Sequence, residues 1–289
     1  MLNLTDDIKP INFKSLNSPA KFILTKLNQV ISEVDQNYDK YEFGEAARSL
    51  YNFVWNDFAS WYVELSKVDL QGDNEEAKDN ARSVLYYVLM AIIKLLHPMV
   101  PFITEEIYQL LPHKAKSIMV SEWPTVNPEF NDLDALNEVE DLISLITMVR
   151  NQKAEANKAP STPISLKLVF KDSKLKDSFT RLDAFIKRFT KATSVEYLME
   201  FKGDGYLVNV MENITAFIPQ SDLVDLEDVK KQLESDKARL ENELKRSRNM
   251  LANENFLAKA KPEKVEAEKE KLAKYEEQYN EVLKHLAEI

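Results

Sequence analysis

The sequence predicts a mainly α protein made of a helical bundle, a small α+β module and a C-terminal antiparallel two-helix coiled-coil arm. Three observations carry that expectation. Apolar residues recur at helical spacing from residue 18 to residue 156, the period switches to strand-like alternation after Pro163, and a heptad of leucines opens at Leu226. Charged residues make up 30% of the 289 and there are only four glycines, a balance that favours long helices with solvated faces.

Residues 1–17 have no period and read as loop. Ser18-Pro19 is a helix start, with Ser as the expected N-cap and Pro as the expected first helical residue. Phe22, Ile23, Leu27, Val30, Ile31 and Val34 supply its apolar stripe. A second helix is expected from about Glu42 to Lys67, its stripe being Phe43, Ala47, Leu50, Tyr51, Val54, Phe58, Tyr62 and Leu65. Gln71-Gly72-Asp73-Asn74 is a turn. The third helix, Glu75 to Leu96, is apolar around much of its circumference, which suits the centre of a bundle. Pro98 ends it and Pro101 suits the start of a short helix through Leu111. A fifth helix runs from about Asp132 to Ala156. Ile164 to Phe170 alternates as a strand, Phe179 to Phe189 reads as one helix, and Ser194–Met199, Tyr206–Val210 and Thr215–Ile218 read as short strands. The expected domains are 1–158, 159–224 and 225–289.

In the last of these, Leu226, Leu233, Leu240, Leu244 and Leu251 form one seam, and Val265, Leu272, Tyr275, Tyr279, Val282 and Leu286 a second. A non-periodic connector, 253–262, joins them, as in a hairpin folding back on itself. Each arm of about 25 residues would be roughly 38 Å long.

Cysteine is absent, which excludes disulfides, thiolate metal sites and cysteine nucleophiles. The N-terminus lacks an apolar signal core and no apolar run reaches the roughly 20 residues that span a bilayer, so a soluble, cytoplasmic protein is expected. No glycine-rich phosphate loop, His pair at metal spacing or nucleophile–base pair suggests catalysis. His97 near a helix C-terminus and Glu105-Glu106 in a first helical turn suit structural roles. The aromatic run Tyr51, Phe53, Trp55, Phe58, Trp61 and Tyr62 is mostly core in expectation, yet its members cannot all face one way. Trp55 and Trp61 fall outside the stripe, so one of them, or a neighbour, is expected to present a flat surface to an unpaired base.

The net charge of −10 argues against a nucleic-acid partner unless a basic patch exists. One does. Between residues 245 and 264 lie Lys245, Arg246, Arg248, Lys259, Lys261 and Lys264 against Glu254 and Glu263, six minus two giving +4. The same pattern also fits a solvated coiled coil.

Several stretches resemble the valyl-tRNA synthetases. One is Lys40-Tyr-Glu-Phe-Gly-Glu-Ala-Ala-Arg-Ser-Leu-Tyr-Asn-Phe-Val-Trp-Asn-Asp-Phe-Ala-Ser-Trp-Tyr-Val-Glu-Leu-Ser-Lys67. Others are Leu95-Leu-His-Pro-Met-Val-Pro-Phe-Ile-Thr-Glu-Glu-Ile-Tyr108 and Ser121-Glu-Trp-Pro124. These are similar to the helical anticodon-binding domain shared by the valine, isoleucine and leucine enzymes. The C-terminal stretch Asn253-Glu-Asn-Phe-Leu-Ala-Lys-Ala-Lys-Pro262, followed by Val265-Glu-Ala-Glu268, resembles the arm of the valine enzyme in particular.

The resemblance implies a tRNA partner, valine-specific in the parent enzyme, with the bundle at the anticodon and the arm at the tRNA elbow. It implies basic elbow contacts at Arg246 and Lys271. Through Trp61-Tyr-Val-Glu-Leu65 it implies an anticodon-facing position at Val63, with Lys26 near the same surface. The family's catalytic signature loops are absent from this sequence. The chain is therefore expected to be either a fragment of a class I valine–tRNA ligase or an isolated paralogue, the place of Met1 inside a family helix–loop favouring the fragment. In either case it is expected to be inactive alone and monomeric, with ATP as a cofactor of the parent only. A basic-aromatic pair that the family carries on a preceding helix falls before Met1, so the anticodon site is expected to be incomplete. The rival expectation is a coiled-coil self-association module without RNA binding.

Overall fold

The computed structural model describes residues 8–223, 226–253 and 262–288. They fall into two compact units, one formed by 1–204 with 208–217 and the other by 205–207 with 218–289.

In the first unit, helix α1 (Ser18–Asp39) buries Phe22, Ile23, Leu24, Leu27, Ile31 and Val34. Its N-cap is Asn17, whose side chain accepts from the Ala20 N–H, and Ser18 is already helical. This corrects the expected Ser18 cap: both residues can cap, and Asn17 comes first in the chain. The expected second helix is continuous but not uniform. Helix α2 (Phe43–Asn52) passes into a π-helical segment, Phe53–Tyr62, and then into α3 (Val63–Leu70). The wider turn is visible in the Val63 N–H, which reaches back five residues to the Phe58 carbonyl. It also sets the spacing of the core residues. Ala46, Leu50 and Phe53 are buried upstream, and the next buried position, Phe58, comes five residues after Phe53. A single 3.6-residue period drawn back from Phe58 and Tyr62 therefore places Tyr51 and Phe43 inside, whereas both are exposed.

Helix α4 (Glu75–Leu96) starts on Asn74, which accepts from the Glu76 and Ala77 N–H groups, and buries Val84, Leu85, Val88, Ile92, Ile93 and Leu95. Helix α5 (Pro101–Leu110) follows the proline break. Helix α6 (Leu133–Glu155) is capped by Asp132, buries Val139, Leu142, Leu145, Ile146 and Val149, and packs against α1. No described helix is long and apolar enough to cross a membrane.

Strand β1 (Ile164–Phe170) alternates buried and half-buried residues, as its sequence period requires. It pairs in parallel with β2 (Ala192–Leu198) and antiparallel with β4 (Ile214–Pro219); with β3 (Tyr206–Val210) the sheet order is β2-β1-β4-β3. The β1–β2 crossover holds two helices, α7 (Ser173–Arg181) and α8 (Asp183–Thr190), where one was expected from Phe179 to Phe189. The break falls at Leu182, which is itself buried, so apolar spacing alone does not reveal it.

The second unit contains a short helix, α9 (Gln220–Leu223), and two long ones, α10 (Leu226–Leu251) and α11 (Pro262–Glu288). The long pair packs together. Ser247 Oγ donates to Glu268 at 2.7 Å and Tyr279 Oη donates to Glu241 at 2.7 Å, so the two helices run antiparallel, as the paired heptads predict.

Candidate nucleic-acid interface

The seam of α10 and α11 determines which charges share a surface. Leu240, Leu244 and Ser247 are buried, and Leu233, Leu251, Val265, Glu268, Leu272, Tyr275, Tyr279, Val282 and Leu286 are half-buried. At about 100° per residue, the residue before each seam position lies on one flank of its helix and the residue after it on the other. In an antiparallel pair the like flanks meet on one side. The Arg248–Glu276 ion pair, at 2.8 Å, tests this: each residue follows a seam position, and the two side chains meet across the hairpin.

Arg246 precedes Ser247, and Lys271 precedes Leu272. They therefore occupy the opposite side from the Arg248–Glu276 pair. The Ser247–Glu268 bond sets residues 246 and 271 within about one helical turn of the same level. Both are exposed. Lys271 has a long 3.9 Å contact with Glu268, and among the described residues no ion pair forms to Arg246. Two cations on separate helices, far apart in the sequence, are thus brought together.

The other predicted arm residues divide. Lys264 precedes Val265 and joins the side of Arg246 and Lys271, exposed. Lys245 and Arg248 follow Leu244 and Ser247 and lie on the opposite side, where they line a groove with Glu241, Asn249, Glu276 and Asn280. Arg248 is engaged by Glu276 there. Lys259 and Lys261 lie outside the described residues. Two cations that were not singled out, Arg239 and Lys274, precede Leu240 and Tyr275 and so share the side of Arg246. The signal for them is present in the heptads, but only the antiparallel register converts it into a surface.

On the bundle, the aromatic run separates as the mixed helix dictates. Phe53, Phe58 and Tyr62 enter the core. Trp55 is 61% exposed and lies parallel to exposed Tyr51, ring centroids 6.4 Å apart at 9°. This is an open, flat aromatic surface. Trp61 is half-buried, with the Arg150 guanidinium 5.6 Å from its ring centroid, so its π face is partly occupied. Val63 is half-buried at the start of α3. Lys26 reaches Glu140 at 2.8 Å and lies 5.7 Å from the Phe22 ring centroid. Burial pushes the neighbouring Asp57 carboxyl up, with Lys26 pulling it back and Glu140 adding to the rise. The Lys26 charge is therefore held between carboxylates.

His97 sits at the C-terminal end of α4 as expected, whereas Glu105 and Glu106 lie beyond the first turn of α5, not within it as expected, because that helix already begins at Pro101. His97 Nδ1 lies 2.8 Å from Thr104 Oγ1, at the turn between α4 and α5. Glu105 accepts from Gln109, the Ser117 hydroxyl and the Ile118 N–H, tying α5 to the following loop. Led by the Gln109 bond, these partners hold its carboxyl below the usual range.

The family described as the anticodon-binding domain of tRNA ligase matches residues 20–168, and the valyl tRNA synthetase tRNA binding arm matches residues 225–289. Among similar curated proteins, the valine–tRNA ligase of Geobacillus stearothermophilus is 41% identical over 271 residues, which is 93% of this chain and 31% of that protein. Those of Enterococcus faecalis and Oceanobacillus iheyensis are each 38% identical, over 93% and 95% of this chain and 31% of theirs. The chain thus spans about a third of the length of the curated relatives it matches. On the family matches, which place an anticodon-binding domain and a tRNA-binding arm in the order seen in the fold, the chain belongs to the valyl-tRNA synthetase family.

Proposed function

We propose that this chain is a tRNA-binding portion of a valine–tRNA ligase, the arm meeting the folded elbow of the tRNA and the bundle meeting the anticodon loop. The supporting observation is the alignment of Arg246 and Lys271 at one level on one exposed side of the hairpin. Folded RNA is recognised largely by shape, through phosphates and exposed base planes, and two cations held by a stiff helical pair suit that task. Unpaired anticodon bases would stack on an exposed ring, for which the Tyr51–Trp55 surface is the suited candidate. The chemistry of aminoacylation, with its ATP, belongs to the parent enzyme. The proposed state is a monomer, supported by the packing of the two arm helices on each other, with Leu240, Leu244 and Ser247 buried between them.

The test is nuclease footprinting of a valine tRNA transcript with the full chain at low salt. Protection of the elbow loops is expected, together with its loss in Arg246→Gln/Lys271→Gln. Absence of binding at roughly 50 µM protein in low salt would overturn the reading, since even non-specific complexes form in about the 10⁻⁴–10⁻⁶ M range. A dimer by sedimentation that dissociates when residues 226–289 are removed would favour self-association instead.

A further inference from the structure

We propose that the arm engages RNA phosphates along one side only, on a track that Arg239, Lys264 and Lys274 form together with Arg246 and Lys271. This rests on the reading that the arm binds tRNA. The heptad seam partitions the charges of the hairpin. Over residues 239–252 and 264–278, the side of Arg246 carries those five cations and one carboxylate, Glu243, so five minus one gives +4. The opposite side over the same span carries Lys245, Arg248 and Lys269 against Glu241, Glu266 and Glu276, three minus three giving zero.

The two sides also differ in how their polar groups are used. On the neutral side, Arg248 is bonded across the hairpin to Glu276, Tyr279 to Glu241, and Lys269 pairs with Glu266 at 3.4 Å. An RNA phosphate arriving there would have to displace those partners and approach their carboxylates. On the basic side all five cations are exposed. Arg239 pairs with Asp236 at 3.4 Å and Lys271 with Glu268 at 3.9 Å, each within one turn of its own helix. Such exposed pairs contribute little and yield readily to a phosphate. With the register set by Ser247–Glu268 and Tyr279–Glu241, Arg239 lies near the level of residue 279. The track from Lys264 to that level is then roughly 22 Å long at about 1.5 Å per residue. It is long enough to meet several successive phosphates of one strand.

The experiment compares two double variants of the full chain that each remove two positive charges: Arg239→Gln/Lys274→Gln and Lys245→Gln/Lys269→Gln. Affinity for a valine tRNA transcript is measured across a salt series. Each phosphate neutralised adds about 0.7–0.9 to the slope of log K against log salt, so the first variant is expected to reduce that slope by about 1.5 and the second by less than about 0.4. Equal reductions by the two variants would overturn the one-sided track while leaving tRNA binding intact. No binding by the unaltered chain would overturn the underlying reading instead. Amine-reactive labelling of the unaltered chain gives a check that needs no variant. Bound tRNA is expected to protect Lys264, Lys271 and Lys274 and to leave Lys245 and Lys269 reactive; the reverse pattern would sink the proposal.

Discussion

Lys153 offers a quantitative test of what joins the last bundle helix to the sheet. It lies in the final turns of α6 and is only 1% exposed. Its ammonium donates to the Thr162 and Thr190 carbonyls at 2.6 Å each and to the Pro160 carbonyl at 3.3 Å. One cation thus ties α6 to the segment before β1 and to the end of α8. Replacing it by Met preserves most of its length. The change forfeits three charge-assisted hydrogen bonds, each contributing about 1.5–3 kcal/mol, and leaves the Thr190 carbonyl buried. Against that loss stands relief of several kcal/mol of ammonium desolvation. Taking about 6 kcal/mol for the bonds and about 4 kcal/mol for the relief leaves a net loss of about 2 kcal/mol. For a unit of about 200 residues this is a fall of roughly 4–8 °C in Tm. Scanning calorimetry of Lys153→Met would measure it, and a Tm equal to or above that of the unaltered chain would show that the ammonium does not stabilise this junction. The pH dependence provides a second readout. Burial pushes the Lys153 pKa down, with Lys191 adding to the effect. The native state therefore binds this proton less tightly than the unfolded chain. The unaltered protein should gain stability relative to Lys153→Met as pH rises from the depressed value towards about 10.4, the ordinary lysine pKa.

Three further outcomes are expected. Trp55→Ala should weaken binding of an anticodon stem-loop RNA by about 1–3 kcal/mol, the range for one stacked base, yet change Tm little because the ring is exposed; a large Tm loss would assign Trp55 to the core instead. Glu105 contributes its tether above the usual carboxylate range and loses it as pH falls through its depressed pKa, so the protection of the Ile118 amide, taken relative to its intrinsic exchange rate at each pH, should fall in acid and in Glu105→Ala; an amide equally protected in both would refute the tether. Ser247→Leu/Glu268→Leu should raise the thermal stability of the hairpin while loosening its register, which disulfide trapping of cysteines introduced at paired levels would detect as more than one crosslink; a single crosslink would show that the register is set elsewhere.

Much of the fold was legible because its signals are local. Asn74 and Leu96 bound α4 where a cap and a proline break are written in the chain, and the alternation of Ile164 to Phe170 is a strand in the structure. The failures have physical causes. A fixed 3.6-residue period places Tyr51 inside and overlooks Phe53, because the π-helical turn adds a residue between buried positions. Two capping residues in succession, Asn17 and Ser18, leave the start of α1 ambiguous by one residue. The turn at Leu182 is hidden because the residue that breaks the helix is also part of the core.

The binding surface was legible as a cluster near the tip but not as a side of the hairpin. A run of basic residues along one helix is dispersed around its axis, so Lys245, Arg246 and Arg248 do not act on a common surface. What unites Arg246 with Lys271 is the register between helices, and that is a tertiary property. The Ser247–Glu268 hydrogen bond inside the seam, with Tyr279–Glu241 beside it, is suited to specify it, because any slip leaves these groups without their partners. A slip of one heptad would shift Lys271 by about 10 Å relative to Arg246 and break up the track. The net charge of −10 is a weaker guide than this alignment. At physiological ionic strength, charges beyond about 8 Å are largely screened, so a phosphate at the arm responds chiefly to the basic side it meets. The polar residues of these two bonds are therefore placed to hold the RNA-facing charges in line.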